Sequence, residues 1–357
     1  YAQDGGLELE ARLCQRAGRT RRMLGDARKA EVHLQIALDL AVDMGERETE
    51  AESQLELGRL YRSQSRNTLA IIHLEAAQQA AEAVGGDERF STAPDWARRV
   101  AVSALEDLGI LAREAGRSND SAALFERALE IAGDDESLAA QALLGMASSK
   151  NRVEDFEGAL ELLSASLEKA RQGEDRILMA RILNNTGITH HMADRMEQAL
   201  HFYREARDLY RTVGFPYGLV ISLHNVGDSH LRLGAHGRAW AAFEESRKLA
   251  EQLGMPMGTI LNEPYMAHLE ALRSIESGEE VYSAPFIERI EAMVDEARRL
   301  GDLETSVVAR ALVGRTWRAF GAELEARESL ERAVEGARKL ESAPLVHEFE
   351  RELASLG

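Results

Sequence analysis

One cysteine, Cys14, is present among 357 residues, so no disulfide can form within the chain and no thiolate cluster can bind zinc. It lies four residues before Gly18 on the same helical face, which makes it a packed structural thiol in a reducing compartment. Prolines number six and aromatic residues make up 5% of the chain, while helix formers dominate. Nowhere do roughly 18 apolar residues run together, as a bilayer crossing requires, and no basic, apolar leader opens the sequence. A cytoplasmic location and no membrane association are expected. Catalytic signatures are missing too: there is no G-x-x-x-x-G-K-S/T, no G-x-G-x-x-G after a strand, no G-x-S-x-G and no H-E-x-x-H. No enzyme is expected.

What is present is a ladder of glycines inside helix-forming sequence: Gly18, Gly58, Gly109, Gly187, Gly227 and Gly314. Twelve residues after each comes Ala30, Ala70, Ser121, Ala199, Ala239 or Ala326, and seven further on Ala37, Ala77, Ala128, Ala206, Ser246 or Ala333. A glycine within a helix costs about 1 kcal/mol relative to alanine, so a tertiary contact must need it. Small residues facing one another across an antiparallel pair of helices would let two backbones approach closely. A bulky residue stands midway along each second helix: Leu34, Leu74, Phe125, Tyr203, Phe243 and Leu330.

This register resembles the tetratricopeptide repeat, in a long form recurring about every 40 residues. It is similar to the repeats of kinesin light chains, spindle-orientation adaptors and bacterial regulators and kinases with sensor arrays. Two degenerate units complete the series, one with Ala147, Ala159, Leu163 and Ser166, the other with Ala267 in place of glycine. The units are read at 7–46, 47–86, 97–134, 135–175, 176–215, 216–255, 256–302 and 303–342. An exposed inserted loop at 87–96 and a capping helix over 343–357 complete the chain. The resemblance implies an all-α, right-handed superhelical solenoid of eight antiparallel helix pairs plus that cap. On the cap, Leu345, Phe349, Leu353 and Leu356 share one face, with Glu348, Arg351 and Glu352 elsewhere.

Turns between units carry helix-stopping glycines at Gly45, Gly214, Gly254 and Gly301. The seventh unit is irregular: Pro264 falls inside its first helix and residues 274–285 lengthen its turn, which fits either a drifted repeat or a hinge.

In arrays of this family, positions one, four and five after the glycine face the groove. Here they hold Arg19, Arg22, Arg59, Arg62, Arg113, Arg152, Arg232, Arg315 and Arg318, with only Glu114 and Asp228 acidic, in a chain of formal net charge −18. Guanidinium groups in a concave lining grip carboxylates or phosphates, so an acidic peptide or protein segment is the implied ligand. Solvated arginines on a helix face are the plainer alternative. Asn185 and Asn225 occupy equivalent places two residues before Gly187 and Gly227. In the long-repeat proteins, such asparagines clamp the backbone of an extended peptide; bonding to a neighbouring helix is the other reading.

His190, His191, His224 and His230 raise the question of a metal. His190 and His230 take the usual aromatic packing position, however, and nothing completes a tetrahedral set at ligand spacing, so no metal or other cofactor is expected. Net charge and the lack of interleaved aromatics in the groove disfavour nucleic acid.

The functional expectation is a scaffold that binds a protein or peptide through an acidic or extended segment. Because the chain opens at Tyr1 without a polar cap, it is expected to be the C-terminal docking or sensor region of a larger bacterial signalling protein. A gene starting within a few residues of Tyr1 would refute that. A ligand sensor gating an attached effector and a structural oligomerisation scaffold are the alternatives.

Overall fold

A computed structural model describes residues 4–64, 66–85, 93–115, 117–278, 283–300, 302–340 and 342–356. Seventeen helices are found among the described residues, and no strand. They group into two compact units, residues 1–149 with 161–178, and residues 150–160 with 179–357.

The first unit is built from hairpins α1 (Asp4–Met23) with α2 (Ala27–Met44), α3 (Arg47–Ser63) with α4 (Asn67–Gly85), and α5 (Asp95–Glu114) with α6 (Ser118–Ala132). Parts of α7 (Glu136–Arg152) and α8 (Phe156–Gln172) complete it. The second holds most of α9 (Arg176–Met192) and then α10 (Met196–Val213), α11 (Pro216–Arg232), α12 (His236–Gln252), α13 (Pro256–Glu276), α14 (Ala284–Arg299), α15 (Leu303–Ala319), α16 (Glu323–Lys339) and α17 (Ala343–Ala354). Eight hairpins and one terminal helix make this an all-α solenoid of helical repeats.

Local chemistry sets the helix limits. Asp26, Asp135, Asp155, Asp175 and Asp302 each accept a hydrogen bond from the backbone N–H three residues on, the usual way to satisfy a helix N-terminus. Gly45, Gly214 and Gly254 take the left-handed conformation after α2, α10 and α12, as the turn glycines were expected to. Pro264 lies inside the continuous α13. The loop expected at 87–96 lies largely outside the described residues, which resume at Ala93, as do residues 279–282 of the seventh unit's long turn and Gly301. No helix among the described residues is long and apolar enough to cross a membrane.

The glycine ladder serves the close backbone approach expected from the spacing, since a Cβ on Gly314 would lie 3.1 Å from the Ala326 carbonyl oxygen, and it also makes room for a bulky residue of the second helix. A Cβ on Gly187 would lie 2.5 Å from Tyr203 Cδ1, one on Gly227 2.6 Å from Phe243 Cε1, and one on Gly58 2.6 Å from Leu74 Cγ. The bulky residue sixteen places on fills the space that the missing methyl leaves. The alanines at twelve and nineteen places are fully buried, as Ala199 and Ala206 show, and they bring the helices near enough for that insertion.

Candidate functional site

In the first unit the arginines expected to face a ligand meet carboxylates of the chain itself. Arg22 Nε donates to Glu56 Oε2 at 2.7 Å, and Arg19 Nε stands 3.8 Å from Glu56 Oε1. Arg59 Nε donates to Asp107 Oδ2 at 2.7 Å, while Arg62 Nη2 lies 3.0 Å from Asp107 Oδ1. Glu56 and Asp107 are buried, and each sits two residues before the glycine of its repeat. A carboxylate of one repeat thus neutralises arginines of the repeat before it. Counting charge only at positions one, four and five after the glycine misses both acids; reading two positions earlier would have found them. Arg113 lies in the last turn of α5.

In the second unit, four expected arginines turn to a single segment, the C-terminal end of the chain. Arg152 Nη2 donates to the Leu340 carbonyl at 2.6 Å. Arg232 Nη2 and Arg315 Nη2 both donate to Glu348 Oε1 at 2.6 Å. Arg315 Nε also donates to Glu352 Oε2 at 3.0 Å, and Arg318 Nη1 to the Ser355 hydroxyl at 3.0 Å. Burial would push the Glu348 carboxyl up, but the two guanidiniums outweigh it and hold the group below its usual range.

Asp228 joins this cluster from α11. Its Oδ2 accepts from Arg232 Nε at 3.3 Å and lies 3.6 Å from His191 Nε2. Burial opposes its ionisation, yet Arg232 and the neighbouring histidines keep it at about 2. Asp228 Oδ1 is buried without a hydrogen-bond partner. Three carboxylates, Asp228, Glu348 and Glu352, therefore surround two guanidiniums, Arg232 and Arg315, and leave one acceptor open.

Both asparagines bond within the protein. Asn225 Nδ2 donates to Asn184 Oδ1 on the preceding first helix at 3.0 Å, and Asn185 Nδ2 to the Arg181 carbonyl at 2.9 Å. Of the histidines, His190 stacks on Phe202, and His230 lies 3.1 Å from Arg204 Nη2. His224 bonds to Asn262, a fully buried residue that the sequence reading did not single out, and Asn262 in turn donates to Ser246 Oγ. No group of three His, Cys, Asp or Glu side chains among the described residues is placed to hold a metal ion.

Beside the charged cluster lies a cavity of about 610 Å³. Its walls include Tyr203 of α10, Asn225 and Asp228 of α11, Tyr265 of α13, Arg315 of α15 and Phe349 of α17. It combines aromatic surface with a few polar groups, the composition of a site for part of a peptide or a small molecule.

The hairpin series and its small-residue register define an all-α protein of helical-hairpin repeats. The tetratricopeptide repeat family model matches residues 138–212. No curated protein sequence matches the chain. Among solved structures, the fold is similar to a Rap protein complexed with competence and sporulation factor, at 17% identity, 98% coverage of each chain and a TM-score of 0.56. The Rap conjugation gene regulator of plasmid pLS20, in complex with the Phr* peptide, gives 15% identity, 99% coverage of this chain and 98% of that chain, and a TM-score of 0.61. Aspartyl phosphate phosphatase F from Bacillus subtilis gives 14% identity, 87% and 76% coverage, and a TM-score of 0.61. At such identities the likeness is one of fold.

Proposed function

We propose that this chain is a peptide- or protein-binding repeat scaffold, not a catalyst, whose recognition face is formed by the first helices of the second unit and whose ligand is an acidic segment. The observation that carries this reading is that Arg152, Arg232, Arg315 and Arg318 all reach the chain's own C-terminal segment, with Arg232 and Arg315 engaged by its glutamates. What these side chains hold within the molecule is the chemistry that an acidic ligand would offer. Two proteins of similar fold are captured with ligands, competence and sporulation factor in one and the Phr* peptide in the other, which supports a peptide ligand here. The reading extends to a docking or sensor region of a larger cytoplasmic signalling protein in bacteria, and that extension rests on repeat style.

Selection of random twelve-residue peptides displayed on phage tests the proposal. The parent chain should enrich sequences rich in Asp and Glu, and the R232E/R315E variant should lose that enrichment. Enrichment without acidic bias, or unchanged after charge reversal, would count against it. A second reading, a sensor for a compact ligand, is favoured by the cavity of about 610 Å³ and would show as binding that survives R232E/R315E but not filling of the cavity by Leu261→Trp.

A further inference from the structure

The terminal helix α17 stands outside the repeat register and is held differently from every hairpin helix around it. Phe349 is its one buried residue, against ten in α11. Leu345 and Leu353 flank Phe349 at helical spacing and pack, partly buried, on Val334 and Ala337 of the last hairpin. The adjoining face is fixed by charge: Glu348 and Glu352, four residues apart, straddle Arg315, and Glu348 also takes Arg232. A twelve-residue helix is marginal alone, so its order depends on these contacts.

The repeats carry a seat for it. Seven places after the ladder glycine, the turn inside a hairpin needs a left-handed residue, and Gly25, Gly234 and Gly321 supply one. In the fourth and fifth repeats Glu154 and Asp194 adopt that conformation, with φ of 60° and 61°, although a Cβ there costs about 1 kcal/mol. Both meet α17: Glu154 Oε1 lies 2.5 Å from His347 Nδ1, and Asp194 Oδ2 accepts from Arg351 Nη1 at 3.3 Å. Strained turns at these two places coincide with the two contacts, as backbone strain does where a surface is used.

Beneath α17 the seat is underfilled. The cavity lies against Leu345, Glu348 and Phe349, and Asp228 Oδ1 has no donor. A longer segment could make the same two glutamate contacts and also fill that space.

We infer that α17 is a displaceable internal occupant of a docking surface, and that the surface's external ligand is an acidic helix of a partner protein presenting two carboxylates four residues apart. Such a segment replaces Glu348 and Glu352 on Arg232 and Arg315 and gains the cavity that α17 leaves open. The identity of the partner segment rests on the acidic-ligand reading above; the displaceability of α17 does not.

The test uses the full chain and, as probe, a fluorescein-labelled synthetic peptide of residues 342–357, read by polarisation. In the parent the tethered helix competes at an effective concentration on the order of millimolar, so the probe binds weakly. Reversing the tethered copy with E348K/E352K should tighten probe binding by about tenfold or more, and adding R232E/R315E should abolish it. Equal binding to the parent and E348K/E352K, or binding indifferent to R232E/R315E, overturns the inference.

Should E348K/E352K misfold by circular dichroism, E348Q/E352Q serves instead, read by hydrogen exchange. Amides of 345–354 should exchange about tenfold faster than in the parent while those of α11 do not change. Unchanged protection of α17 overturns the inference as well. If the probe binds as expected but phage selection yields no acidic bias, displaceability stands and the acidic-partner reading falls.

Discussion

Arg315 donates to Glu348 at 2.6 Å and so joins the first helix of the last repeat to the terminal helix. The guanidinium side chain is 20% exposed and the carboxylate 17%, so neither charge is well hydrated without the other.

Removing one partner should therefore cost more than removing the pair. Arg315→Ala leaves Glu348 and Glu352 facing each other and should destabilise the protein by about 2 kcal/mol, below the range for fully buried pairs because solvent still reaches this one. Arg315→Met with E348Q/E352Q should cost less than the single change. Urea denaturation of the three proteins checks the order, and equal losses would mean the contact contributes little.

Gly187→Ala should cost about 1–3 kcal/mol, because the new methyl would fall 2.5 Å from the ring of Tyr203 inside a packed hairpin. Gly237→Ala, in α12 with nothing within 4 Å of its Cβ, should instead be neutral or stabilising by up to about 1 kcal/mol. Thermal melts of the two variants should move in opposite directions.

Asp194→Gly and Glu154→Gly relieve left-handed strain and lose only exposed contacts to α17. Each should raise overall stability by about 0.5–1 kcal/mol while speeding hydrogen exchange in α17. A variant that gained stability and kept α17 fully protected would uncouple those turns from the helix.

Acidification should weaken the fold from near neutrality downward. Burial, helped by the positive charge of Arg315, holds His268 at about 3, and burial likewise depresses His191 and His224. The folded state refuses protons that the unfolded chain accepts near pH 6.5, so stability is full above that pH and declines below it. Each such imidazole adds a slope of about 1.4 kcal/mol per pH unit between its unfolded and folded values. For His268 that window runs from about 6.5 to about 3. Urea midpoints at pH 7.5, 6.5 and 5.5 should fall in that order, and His268→Gln should flatten the decline.

Much of the fold was legible because a glycine ladder is a packing record. Only a close approach explains Gly187 and Gly227 inside helices, and the bulky residues Tyr203 and Phe243 were visible at fixed spacing as the parts that use it. The capping role of α17 was legible too, since Leu345, Phe349 and Leu353 repeat at helical intervals. The arginines of the candidate site could be named from register, but their partners could not. Glu56 and Asp107 stand in other repeats, and Glu348 lies 116 residues from Arg232 along the chain.

Sequence alone determined the class of fold, because helix-hairpin repeats depend on local propensity and on contacts between neighbouring segments, and both recur at a fixed period. Tertiary structure alone decided what the arginines meet. Whether a guanidinium faces solvent, a buried aspartate or the glutamates of α17 depends on which distant segments converge, and Coulomb forces act through space without regard to separation along the chain. In the second unit that convergence places the chain's own acidic helix on Arg232 and Arg315 and leaves Asp228 with one oxygen unpartnered beside a cavity.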